Sequence, residues 1–260
     1  MRESPETKIE NNTSGSHLTL ERLGFMRVWN AIVTNIGTLW SAGMVFSLFC
    51  IPLLLSVRAL RQFWQYPGMV LLSLVIFILF CIPVGISFTA MHDVVIRAYL
   101  GEQNSLGKSL KTVIKGSLSQ TVRMSILFGV LMLLLCAIGI GVWNSGGENS
   151  FTVLCILALQ MVLALACLNY CCLQIVFVEL SLGTILKNSL LLSLGYLRRS
   201  FFSAFWILLP AAIMIWLFPI ISALLAVVCL PVFAVCFADC CAWPVMDQVF
   251  GIEKQLDERS

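Results

Sequence analysis

Gly68–Met91 reads GMVLLSLVIFILFCIPVGISFTAM, 24 consecutive residues without a formal charge. A helix needs roughly 20 apolar residues to cross a hydrocarbon core about 30 Å thick, so this run is long enough for a complete crossing. Its centre, Leu71–Cys81, is apolar on nearly every side, as is Leu131–Ile140. A helix on a soluble surface keeps a polar face toward water. Working outward, Ile36–Val57, Met124–Trp143 and Phe151–Val178 are equally free of charge. A fifth stretch, Ser200–Ala238, holds 39 uncharged residues and resumes past Asp239 as Cys240–Met246. At about 1.5 Å per residue one helix of that length would span nearly two hydrocarbon cores. It therefore predicts two spans, with the turn at Phe218-Pro219 and the following Ile220–Ser222. The expected fold is all-α and integral to the membrane, with six transmembrane helices.

Composition agrees. Hydrophobic residues make up 60% of the 260 and charged ones 11%, against about 25% charged in soluble domains. Mean hydropathy is +0.97. Residues 1–17 are polar, with no apolar core of a signal peptide, and the Ser, Asn, Thr and Glu content of 1–16 predicts a disordered tail. The expected layout is a cytoplasmic tail at 1–16, a membrane domain at 17–246 and a second cytoplasmic tail at 247–260.

Lys and Arg near span ends set orientation. Of the 16 basic residues, 14 fall on one side of the six-span layout and only Arg58 and Arg61 on the other. Both termini are thus expected in the cytoplasm. Arg58 and Arg61 would reach the outer headgroups beside Trp64 and Tyr66.

A sequence pattern occurs twice at the entrance to a span. Ser105-Leu106-Gly107, Leu110-Lys111, Ser117-Leu118 and Arg123 return 76 residues later as Ser181-Leu182-Gly183, Leu186-Lys187, Ser193-Leu194 and Arg199. Eight identities at one offset without a gap argue for repeated units of interfacial helix plus hairpin, at about 17–91, 105–180 and 181–246. In the first copy Leu106, Leu110, Val113, Ile114 and Leu118 share one helical face, and Lys108, Lys111 and Lys115 the other. That is the pattern of an amphipathic helix lying in the membrane interface. The second copy is more apolar all round and should tuck against the bundle. Both hairpins end alike, as Cys167-x3-Cys171-Cys172 and Cys236-x3-Cys240-Cys241. Such parallel repeats occur in some transporters; shared ancestry of a folding unit accounts for them equally well.

Among residues able to carry chemistry, Asp239 stands out as the one acid well inside an expected span. Intramembrane acids are costly and usually face a bundle interior or water cavity; the competing reading is a carboxylate snorkelling at the cytoplasmic end of its span. Asn169, Gln160 and Gln174 could share its cavity, or simply bond neighbouring helices. Glu179 is expected to pair with Arg198-Arg199. Lys108, Lys111, Lys115, Arg123, Lys187, Arg198 and Arg199 form the candidate cytoplasmic interface. The eleven cysteines suit packing better than a soft-metal site: no C-x2-C pair exists and no His lies near either cluster in sequence. With two histidines and no H-E-x-x-H, G-x-S-x-G or phosphate loop, nothing assembles a familiar catalytic site. No metal, no cofactor and no nucleic-acid partner are expected. Prolines 52, 83, 210, 231 and 244 fall within spans and could free carbonyls inside the bundle.

Gly85, Ala90, Val94-Val95, Arg97 and Gly101-Glu102 resemble the "G-x-x-x-A … V-x-R … G-E" element of the YesL-like family of unknown function. The Lys-rich Leu110–Gln120 leading into a span, and the span pattern over roughly 25–250, are similar too. Val84 stands where that family usually has Thr. The resemblance implies a multi-pass protein of a bacterial plasma membrane, linked to carbohydrate uptake or its regulation, and supplies no catalytic residues. A sugar permease of the ATP-driven class would carry E-A-A-x3-G-x9-I-x-L-P. Here Ile207-Leu-Leu-Pro210 matches only the tail, and Leu197 replaces the Gly. The expected function is therefore non-enzymatic and transport-associated or accessory. The alternatives are a structural or regulatory partner of a cytoplasmic or membrane protein, and a lipid-active membrane enzyme.

Overall fold

The computed structural model describes residues 25–62, 65–102, 104–147, 149–216 and 230–252. Every secondary-structure element among them is helical: α1 (Phe25–Thr34), α2 (Ile36–Gln62), α3 (Pro67–Tyr99), α4 (Leu106–Gly116), α5 (Leu118–Ser145), α6 (Ser150–Phe177), α7 (Leu182–Gly195), α8 (Leu197–Trp216) and α9 (Leu230–Phe250). Five segments are long and apolar enough to cross a membrane: Ile36–Leu53, Pro67–Tyr99, Leu118–Trp143, Ser150–Phe177 and Pro231–Phe250. The chain is an all-α protein of multi-pass membrane character. The expected turn at Phe218-Pro219, the tail at 1–16 and the last residues of the C-terminal tail lie outside the described residues.

α3 starts with Pro67 in its first turn after an extended Tyr66, where the missing N–H is no loss. It then changes character along its length. In the first half Met69, Leu71, Leu72, Val75 and Leu79 are exposed, as suits a helix among lipid chains; from Ser87 to Ile96 every residue is buried. Parts of α1, α2, α4, α5, α6 and α9 pack around α3. The core of the protein therefore sits at the end of the bundle where α3 meets α4, with Met91, Val95, Tyr170, Leu173, Trp243 and Met246 at its centre.

Lipid tails are as apolar as leucine, so helices associate through close packing and polar contacts. α3 and α5 approach at two glycines: a Cβ on Gly85 would run into Ser125, and one on Gly129 into Cys81. Hydroxyls inside the bundle bond backward to their own helices. Thr89 donates to the Gly85 carbonyl at 2.9 Å and Ser125 to that of Thr121 at 2.6 Å, so neither hydroxyl is desolvated without a partner.

Both copies of the repeated pattern form a short helix followed by a long one. Ser105 and Ser181 are the N-caps of α4 and α7, accepting from the backbone N–H of Lys108 and Thr184. The breaks differ: α4 gives way to α5 at Ser117, and α7 to α8 at Tyr196, three positions later in the aligned register. On α4 the buried residues are Ser109 and Val113, while Lys111, Ile114 and Lys115, and Leu118 at the start of α5, are exposed. Ser109 takes the inner place because its hydroxyl accepts a hydrogen bond from Asn104 at 2.6 Å. α7 buries Ile185, Ser189, Leu192 and Ser193 but leaves Leu190, Leu191 and Leu194 outside, so only one of its faces is tucked against the bundle.

Candidate functional site

Asp239 on α9 is completely buried, and so is His92 on α3. The imidazole Nδ1 lies 2.8 Å from Oδ1 and 2.9 Å from Oδ2 of Asp239. With its hydrogen on Nδ1, the ring donates to the carboxylate and leaves Nε2 as an acceptor. Nε2 finds no hydrogen-bond partner; the Cys172 thiol of α6 is beside the ring. The Thr89 hydroxyl oxygen lies 3.8 Å from that sulfur, its hydrogen being given to the Gly85 carbonyl. Phe88 meets His92 edge-on, with ring centroids 4.5 Å apart at 86°. Tyr99, two turns along α3, donates to the Cys236 carbonyl of α9. Two polar links thus fasten α9 to α3 in a region sealed from water.

α6 extends this polar core to other helices. Asn169 donates to Ser203 on α8 at 2.6 Å, and Gln174 to Ser189 on α7 at 2.8 Å. The other amide oxygens, Asn169 Oδ1 and Gln174 Oε1, are buried without partners. Asn169, Cys172 and Gln174 therefore each reach a different neighbour: α8, α3 and α7. These amides are ties between helices and do not share a cavity with Asp239. Gln160 is corrected outright: it is exposed on the outer surface of α6.

A second polar group closes the turn between α3 and α4. Arg97 Nε donates to Asp93 at 2.7 Å and Nη1 to Glu102 at 2.6 Å; Asn104 donates to the other Asp93 oxygen at 3.2 Å. Gly101 has φ +80°, a conformation that a side chain disfavours. Arg97, Gly101 and Glu102, singled out in the sequence for a family-like spacing, thus have a local task here: they shape one turn.

Lys108, Lys111, Lys115, Arg123, Lys187, Arg198 and Arg199 are all exposed, and none makes an ion pair among the described residues. The expected Glu179 pairing with Arg198-Arg199 is absent; Glu179 points outward. Exposed pairs gain little in water and lose side-chain entropy, which accounts for that. Cys167, Cys171, Cys172 and Cys236 are buried free thiols. Among the described residues no three His, Cys, Asp or Glu side chains group as metal ligands.

On the other side of Phe88 lies a cavity of 410 Å³ between α2, α3, α5, α6 and α8. Its walls are apolar, with Phe77 and Phe88, Met124 and Leu133, Leu168 and Ile207 among them. Neither Asp239 nor any of the three amides lines it.

Sequence reading found Asp239 but missed His92, which is 147 residues away in the chain. A signal existed. A buried acid needs a partner, no Lys or Arg lies within the charge-free runs, and His92 directly follows the run Gly68–Met91. No known family model, curated protein or solved structure matches this chain.

Proposed function

We propose that this is a six-span, non-enzymatic accessory protein of a bacterial plasma membrane, associated with transport and, as the YesL-like resemblance implies, with carbohydrate uptake. Both termini lie in the cytoplasm, and α8 is the fifth span. α4 and α7 are pseudo-equivalent helices at the cytoplasmic interface. The 14-to-2 distribution of basic residues supports this orientation, and the matching Ser105 and Ser181 caps support the equivalence.

One observation carries the accessory reading. The intramembrane polar groups Asp239, His92, Asn169 and Gln174 bind helices to one another, whereas the cavity among the helices is apolar. A sugar needs fixed donors and acceptors along its route, and the cavity offers none that is not already engaged. The protein is therefore better suited to assisting a carrier than to being one. Deletion of the gene should alter uptake of a radiolabelled sugar without altering the abundance of its transporter. The purified protein in liposomes should accumulate no sugar. Accumulation by the protein alone, or unchanged uptake across a panel of sugars in the deletion strain, would refute the proposal.

The exposed cations favour a second reading, a regulatory partner that docks a cytoplasmic protein. Lys108, Lys111 and Lys115 lie within two turns of α4, are exposed and make no ion pair among the described residues, which leaves their charge available to headgroups or to an acidic surface.

A further inference from the structure

We propose that the cavity between α2, α3, α5, α6 and α8 binds one acyl chain of a membrane phospholipid, which enters sideways from the bilayer. The proposal stands independently of the accessory role. Three observations support it.

The first is space. The cavity holds 410 Å³ and is partly open rather than enclosed, within the range of ordinary ligand sites, about 300–1,000 Å³. An opening lets in whatever surrounds the protein at that depth.

The second is depth. Phe77 and Phe88 belong to α3, Met124 and Leu133 to α5 and Leu168 to α6, and all three helices are of membrane-spanning length and composition. Apolar cavities stay dry even where water is near, and hydrocarbon surrounds this one.

The third is chemistry. The hydroxyl in the wall, Ser125, is already donating to the Thr121 carbonyl. The cavity therefore has no anchor for a headgroup or a polar ligand. A site without such an anchor selects by shape and abundance, and occupancy follows mass action. Phospholipid chains are the solvent of this surface, so they outcompete scarcer apolar molecules. The headgroup stays at the membrane surface while the chain lies against Phe88, one ring away from His92.

The test uses full-length protein in nanodiscs of phosphatidylcholine bearing a diazirine midway along one chain. After irradiation, peptides are mapped by mass spectrometry. Label is expected on Leu165–Leu168 and on the cavity side of α5. Leu133→Trp, which fills the cavity, should reduce that label several-fold. Leu134→Trp, on the exposed side of the same helix, should leave it unchanged. Met132→Trp serves as a second filling variant if Leu133→Trp does not elute as a single species. Label confined to outward residues such as Leu134 and Leu159, or label on the lining that neither filling variant reduces, means annular lipid only and overturns the proposal. An isoprenoid, rather than a phospholipid, retained by the purified protein overturns it as well.

Discussion

Replacing Asp239 by leucine should destabilise the protein more than any other single change in its polar core. The carboxylate holds the His92 ring through two oxygens at 2.8 and 2.9 Å, with both side chains wholly buried. Removing one partner of a buried pair typically costs about 3–5 kcal/mol, because the survivor is left without compensation. For His92 the loss is large, since only the weakly polar Cys172 thiol remains beside the ring. At about 2–4 °C per kcal/mol for a chain of this size, the melting midpoint should fall by about 10 °C. Asp239→Asn keeps an oxygen that can accept from Nδ1–H and should lose less than the leucine variant, about 1–2 kcal/mol, the difference between a hydrogen bond to a charged group (about 1.5–3 kcal/mol) and one to a neutral group (about 0.5–1.5 kcal/mol). His92→Phe combined with Asp239→Leu removes both polar groups and should recover most of the loss, because apolar replacement of a whole buried pair is often neutral. Thermal unfolding in detergent, followed with a dye that fluoresces on reaching cysteine, suits a chain with buried thiols at 167, 171, 172 and 236. A double variant as unstable as the sum of the two singles would refute the coupling. So would an Asp239→Leu protein melting within a degree of the parent.

Three further outcomes follow from the packing and the topology. Gly129→Leu should disrupt the α3–α5 approach at Cys81 and cost about 1–3 kcal/mol, whereas Gly139→Leu, with open space around it, should melt like the parent; equal behaviour of the two contradicts the packing. Ser105→Ala and Ser181→Ala should each weaken a helix start by about 1 kcal/mol, read as faster amide exchange in the first turn of α4 or α7, and an effect in only one would count against their equivalence. A cysteine at Ser145 in a cysteine-depleted background should react with an impermeant maleimide added to intact cells, and one at Ser105 should not; the reverse pattern inverts the topology.

The runs of apolar residues made the helices legible, and Ser105 and Ser181 marked two helix starts correctly. Burial was harder to read. In water an apolar face announces the core, but in a bilayer both lipid and protein neighbours are apolar. Nothing in the side chains of Leu71 and Val95 shows that the first is exposed and the second enclosed. Small and polar residues carry that information instead: Gly85, Gly129, Thr89 and Ser189 all mark packed faces. On α4 burial went to Ser109 and Val113, and Ser109 was not legible as an inner position because its polar partner, Asn104, holds it there. Gln160 and Gln174 look alike in sequence, yet one is outside and the other fully buried. The pairing of His92 with Asp239 is a non-local fact, settled by how α3 and α9 meet.

That meeting also sets a timetable for synthesis. His92 leaves the ribosome 147 residues before its partner, which at about 5–20 residues per second is roughly 7–30 s. Through that interval α3 waits with α2 while the helices that will enclose its second half are made one after another. α9, the last described helix, brings the one carboxylate that engages the ring among the described residues. A chain interrupted before residue 239 would therefore leave the His92 imidazole without its carboxylate among apolar helices.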